Sequence, residues 1–216
     1  MADGLPSRTL LEPDSTRAAA IRSGLRRLQQ APRGITSLPF LSAAEIDLLI
    51  ADAKGASYRT ATPEIEHRGR RVHQDFDVCF PAPRTGAFAA LVDCLETCLR
   101  SADAATGLLP QGIKLNDFAI QRYPAGSRGI GIHRDGRRYH GIVIIITLAG
   151  ISRLASCSDR AGGGKRRIDD RPGRIVLLTA SGFDGRDDED VRPLHTVDQI
   201  TDGRLSLGFR YEPEAT

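Results

Sequence analysis

The sequence predicts an α+β domain, a mainly β, barrel-like body with helices on one side. Three observations carry that expectation. Three helix-like segments precede residue 115, six short strand-like segments follow it, and 216 residues suffice for one sizeable core rather than two. No repeat signals a solenoid or propeller.

Residues 1–35 read as an N-terminal extension, helical or loosely attached: DSTRAAAIRSGLRRLQQ starts on Asp/Ser, carries an arginine-rich face and stops at APRG. Residues 36–216 form the main domain, with helices and a lid-like stretch over 36–114 and a β core over 115–216. LSAAEIDLLIADAK opens the second helix, where Ser42 and Glu45 have the spacing of a capping box before an apolar stripe. YRTATPEIEHRGRRVHQDFDVCF reads as extended, and TGAFAALVDCLETCLRSA as a strongly amphipathic third helix. The strands are NDFAIQRY, GIGIHRD, GIVIIITLAG, SRLASCS, GRIVLLTA and GRLSLGFRYE. AGGGKRR lacks the Ser/Thr of a phosphate-binding loop and reads as a hairpin turn, while GSRGIG is followed by no helix and is no dinucleotide fingerprint.

Composition sets further bounds. A hydrophobic content of 40% and a charged content of 26% are ordinary for a soluble globular chain. The longest apolar run, IVIII at Ile142 to Ile146, is far shorter than the roughly 20 residues of a membrane span, so no membrane partner is expected. The start has no signal-peptide core, which predicts a cytoplasmic protein with reduced cysteines, and a monomer is expected. Cys79, Cys94, Cys98 and Cys157 form no C-x-x-C, and Cys94 and Cys98 are one helical turn apart, as two core-facing thiols.

A net charge of +3 is mild, but arginine is clustered at Arg22, Arg26 and Arg27, at Arg68, Arg70 and Arg71, and at Arg122, Arg128, Arg134, Arg137 and Arg138. Such clusters either track the phosphates of a nucleic acid or form solvated surface. Aromatics at 5%, with no tryptophan, supply little for stacking on bases.

Chemistry concentrates in the β core. His133 and Asp135 of GIGIHRD share a face if that segment is a strand, with Gly129 and Gly131 leaving it uncrowded, and His195 offers a third ligand. Two histidines and a carboxylate on one side of a metal form the facial triad of non-haem Fe(II) oxygenases, leaving positions for a bidentate cosubstrate and O2. His140 reads as a strand-edge or pocket residue, and the acidic run DGRDDED before His195 as a solvated loop.

RLSLGFR adds a second clue. Leu205, Leu207 and Phe209 share one face; Arg204, Ser206, Gly208 and Arg210 share the other. Inward-facing guanidinium groups cannot shed their protons, so they predict a bound anion or buried acids; otherwise the arginines lie in solvent beside surface acids. 2-Oxoglutarate has two carboxylates to offer. Arg204 and Ser206 suit the distal one, and Arg210 would stand near the metal-bound end and Asp135.

In this order, NDFAIQRYPAGSRGIGIHRD and PLHTVDQITDGRLSLGFR resemble the AlkB-like Fe(II)/2-oxoglutarate dioxygenases, whose pattern is N-x-Y, H-x-D, a distant H and R-x-N-x-x-x-R. The resemblance covers roughly the last hundred residues and implies a double-stranded β-helix (jelly-roll) core. It implies iron held by His133, Asp135 and His195, and cosubstrate held by Tyr123, Arg204, Ser206 and Arg210, with Gln121 and Ser206 standing where the pattern has asparagine. Because Asp135 is present, hydroxylation is expected rather than the halogenation of relatives with a small residue there. On the substrate side, RGRRVHQDFD is faintly similar to the lid hairpin of some relatives, and Tyr58, His73 and Phe76 are the rings in that region. The implied reaction is oxidative dealkylation of N-alkylated nucleic-acid bases. The alternatives are hydroxylation of a small molecule or specialised metabolite and, remotely, a metal-binding jelly roll without turnover.

Overall fold

The computed structural model describes residues 10–67 and 70–214. The chain runs α1 (Ser15–Gln30), β1 (Ile35–Pro39), α2 (Ala43–Lys54), β2 (Arg59–Thr60), β3 (Glu64–His67), β4 (Arg70–Asp75), β5 (Asp77–Cys79) and α3 (Gly86–Asp103). It continues with β6 (Asp117–Tyr123), β7 (Gly129–His133), β8 (Ile142–Gly150), β9 (Arg153–Ser156), β10 (Arg166–Arg167), β11 (Arg174–Thr179), β12 (His195–Asp198) and β13 (Arg204–Arg210). A seven-stranded sheet, ordered β1-β11-β8-β13-β6-β5-β2, faces a six-stranded sheet, ordered β10-β9-β12-β7-β4-β3.

Each element follows from local chemistry. Asp14 caps α1 by accepting from the Arg17 N–H at 2.7 Å, and α2 has the predicted capping box, the Glu45 carboxylate accepting from the Ser42 N–H at 2.8 Å. On β8, Ile142, Ile144, Ile146 and Leu148 turn to the helices, while Val143 and Ile145 turn between the sheets. Both faces are covered, which is why this antiparallel strand reads as a continuous apolar run rather than an alternating one.

Two apolar layers result. Ile21, Leu25 and Leu28 of α1 and Leu91, Leu95 and Leu99 of α3 pack on the outer face of the larger sheet, where Phe118 stacks on Phe209 at 4.6 Å between ring centroids. Between the sheets lie Phe76, Tyr123, Val143, Leu154, Val176, Leu178 and Val197. The four cysteines are free and buried, Cys94 and Cys98 within the helical layer.

Two features sharpen the sequence expectation. Of the two alternatives for residues 1–35 the helical one is seen, α1 burying its apolar stripe against α3, and β1, which follows, pairs with β11 as the outer strand of the larger sheet. Residues 1–9 lie outside the described residues. The lid-like stretch likewise joins the body, since β5 pairs with β6 and β4 with β7. One irregularity positions the site: in the β13·β8 ladder Leu205 opposes Ala149 but Ser206 opposes Thr147, so Leu148 is an extra, bulged residue. Among the described residues no helix is long and apolar enough to cross a membrane.

Candidate metal centre and anion pocket

The antiparallel register of β6 and β13 builds one wall. Arg204 lies opposite Tyr123, Ser206 opposite Gln121, Gly208 opposite Ala119 and Arg210 opposite Asp117. These eight positions share the face turned into the space between the sheets, so the arginines point inward and not to solvent. A Cβ at Gly208 would lie in ordinary contact, 3.4 Å, with Arg210 Nη1, so the space expected between the two arginines is bordered by Arg210's own guanidinium.

The opposing sheet supplies the metal-ligating set. His195 at the start of β12 pairs with His133 at the end of β7, which brings their rings to 4.2 Å between centroids. Asp135 falls two residues beyond the end of β7, in a loop rather than on the strand that H-x-D suggested. That loop is pinned by Arg192, whose Nη1 donates to the Asp135 carbonyl at 2.8 Å. Ligand atoms of His133, Asp135 and His195 lie within 4.8 Å of one another. Neither glycine of GIGIHRD serves the metal face as expected: Gly131 admits His73, 3.0 Å from where a Cβ would stand, and Gly129 has φ +78° with the Val197 carbonyl oxygen 1.9 Å from that position.

Hydrogen bonds fix the imidazoles. His133 Nδ1 lies 2.9 Å from the Gly131 carbonyl oxygen and His195 Nδ1 3.1 Å from that of Pro193. A carbonyl only accepts, so each Nδ1 carries the proton and each Nε2 keeps its lone pair for a metal. Burial, reinforced by His195, pushes His133 down to about 4. Burial acts to raise the Asp135 carboxyl, but Arg210, His195 and His133 outweigh it and hold it at about 2. The set is therefore ready for a cation at neutral pH.

Arg210 connects this centre to the interior. Its Nε donates to Asp135 Oδ1 at 3.0 Å and its Nη1 to Asp117 Oδ1 at 3.2 Å, while Tyr139 donates to Asp117 Oδ2 at 2.8 Å. At the far end of β13, Arg204 is 3% exposed, and its Nη1 donates to Asp170 Oδ2 and, at 2.7 Å, to Ser152 Oγ. Its Nε and Nη2 are buried and have no acceptor among the described residues. Ser206 is buried beside it, and the Tyr123 hydroxyl donates to Gln121 Oε1 at 3.3 Å. The donor set suits a diacid: an unmet two-nitrogen edge at one end and a metal-ligating trio at the other.

Every site residue expected from the sequence lies along this interior, His133, Asp135, His195 and Arg210 at one end and Gln121, Tyr123, Arg204 and Ser206 at the other. Asp117, Tyr139, Ser152, Asp170 and Arg192 were missed. Stepping back by two from Tyr123 through Gln121 and Ala119 reaches Asp117, so that one carried a signal. The acidic run is exposed along Asp184 to Asp190, as a solvated loop should be, while Asp190 pairs with Arg134 at 3.1 Å and Asp188 caps a short 3-10 turn. His140 forms an isolated bridge with Ser181 at a strand edge, as expected.

No protein-family model matches the sequence, and no curated protein resembles it closely enough to count as a relative. Solved structures do share the fold. A prolyl-4-hydroxylase from Pseudomonas putida superposes with a TM-score of 0.59 at 18% identity, covering 91% of this chain and 99% of that one. An oxidoreductase of the 2OG-Fe(II) oxygenase family from Burkholderia pseudomallei gives 0.56 at 13%, covering 93% and 92%. HygX from Streptomyces hygroscopicus, solved with nickel and 2-oxoglutarate bound, gives 0.57 at 14%, covering 89% and 87%. The expected fold, a jelly roll with helices on one side, is the fold of this chain.

Proposed function

We propose that this chain is an Fe(II)- and 2-oxoglutarate-dependent oxygenase that hydroxylates a C–H bond. The carrying observation is a single interior that holds His133, Asp135 and His195 within ligating reach of one another and, along the strand of Arg210, the open Nε–Nη2 edge of Arg204. In this reading the trio holds iron, and Arg204, Ser206 and Tyr123 hold the distal carboxylate of the cosubstrate. Iron, 2-oxoglutarate and O2 together supply the oxidising equivalents for hydroxylation, with succinate and CO2 as coproducts.

The chain's own work is positional. The carbonyls of Gly131 and Pro193 keep both histidines in the ligating tautomer. Arg210 keeps Asp135 ionised and takes its Oδ1, leaving Oδ2 turned toward His195 at 3.5 Å. Asp117 and Tyr139 hold Arg210 in that pose.

For the substrate, the lid-like stretch has little to offer a base. Phe76 is buried with its ring 4.8 Å from that of Tyr123, and the Arg122 guanidinium lies over Tyr58 at 4.3 Å. This favours a small molecule. A second reading, AlkB-like dealkylation of nucleic-acid bases, draws on the motif order and on the exposed Arg22, Arg26, Arg27, Arg128 and Arg137.

Succinate release from 2-oxoglutarate with Fe(II), abolished in His133→Ala, tests the shared chemistry. Mass spectrometry after incubation with methylated DNA, methylated RNA and a metabolite extract then separates the substrates. Turnover of an oligonucleotide, with binding that falls steeply with salt, selects the second reading; turnover confined to the extract selects the first.

A further inference from the structure

The distal anion pocket already contains an anion of its own. Asp170, 6% exposed, lies against Arg204 Nη1, and its Oδ2 accepts from Thr147 Oγ1 at 3.3 Å. Ser152 Oγ completes the Nη1 contacts at 2.7 Å. The buried guanidinium is thus neutralised by the protein before any ligand arrives. Yet only one of its three nitrogens is engaged. Nε and Nη2, the unpartnered pair, lie on one edge of the planar guanidinium with parallel N–H groups, the spacing that receives a carboxylate in bidentate fashion.

A carboxylate seated on that edge becomes the second negative charge on a single buried cation. Like charges that share a site in low dielectric oppose one another, so a pocket built this way holds a dianionic cosubstrate less tightly than the arginine alone would. A carboxamide avoids the conflict: it brings no second negative charge, and its oxygen accepts from the open edge.

Resting on the oxygenase reading, we infer that Asp170 is a positioning residue, the resident counter-ion of Arg204. It holds the guanidinium with the Nε–Nη2 edge turned to the ligand, limits affinity for the distal carboxylate, and lets the pocket accept a 2-oxo acid whose distal group is a carboxamide. Ser152 and Thr147 hold this arrangement from either side.

Calorimetry on the full chain loaded with Mn(II), titrated with 2-oxoglutarate and with its distal monoamide, tests the inference without turnover. Wild type is expected to bind the two within about tenfold of each other, because the charge at the pocket is already balanced. Asp170→Asn, which keeps an oxygen for Nη1 and removes the charge, is expected to bind 2-oxoglutarate about tenfold more tightly and the amide no better. A 2-oxoglutarate affinity in Asp170→Asn that is unchanged or weaker overturns the inference and leaves Asp170 as a structural ion pair. If Asp170→Asn does not fold, the wild-type ratio decides alone, and a monoamide weaker by more than about tenfold overturns the inference. Failure of the oxygenase reading looks different: folded wild type binds neither compound, and the inference falls with it.

Discussion

Arg204 and Arg210 stand at opposite ends of β13 and share its inward face, but their charge is met in different ways. Arg210 has two acids, Asp135 and Asp117, on two of its nitrogens, and its guanidinium lies 5.2 Å from the Tyr139 ring centroid. Arg204 has one acid and one hydroxyl, both on the same nitrogen, and two donors left open. Burial of a charge on its own therefore does not mark a ligand site. The open donor edge does, because an unmet N–H inside a protein costs about 1–3 kcal/mol unless something accepts from it.

The largest effect should come from removing the better-met cation. Arg210→Met strands two buried carboxylates and is expected to cost about 3–5 kcal/mol in urea unfolding. Arg204→Met strands only Asp170 while relieving two unmet donors, so about 1–3 kcal/mol is expected, and the reverse order would break the comparison.

The metal end should also show a pH dependence. His133 is held at about 4 against an ordinary value near 6.5, so the unfolded chain takes up a proton first and stability falls as pH drops from about 6.5 to 4. Asp135, held at about 2 against 3.8, adds a second loss as pH falls from about 4 to 2. Melting in the presence of a chelator should trace both, the first amounting to about 3 kcal/mol and vanishing in His133→Asn.

Smaller changes sharpen the picture. Tyr139→Phe removes the hydroxyl donated to Asp117 and should cost about 1 kcal/mol while loosening Arg210. Gly208→Ala brings a methyl to an ordinary 3.4 Å contact with Arg210 Nη1, so stability is expected to change by less than about 0.5 kcal/mol and Mn(II) affinity to stay unchanged unless the guanidinium shifts off Asp135.

What could be read in advance was whatever has a short period. The alternation of RLSLGFR and the capping box at Ser42 are properties of neighbouring residues, and each appears in the fold; Tyr123 and Gln121 were legible only through the motif resemblance. H-x-D and a later histidine are a weak pattern alone, and the metal trio was legible because they stand in order with the two arginines of RLSLGFR; the loop position of Asp135 was not legible, since a strand's end depends on its partner. Asp170 left no trace: it sits in the DDRPG connection, and only the fold brings it to Arg204, 34 residues away. The docking of α1 and the burial of Phe76 were hidden for the same reason, their contacts being made with segments distant in the chain.

The extra residue on β8 has an evolutionary consequence. Leu148 and Ala149 stand in succession before the strand regains its phase, so Gly150 still meets Arg204. A descendant that lost one of them would sacrifice an apolar contact with the helices, yet the guanidinium would keep its orientation. A one-residue deletion would thus be absorbed at that spot, whereas a one-residue deletion anywhere between Arg204 and Arg210 would send one of the two cations outside.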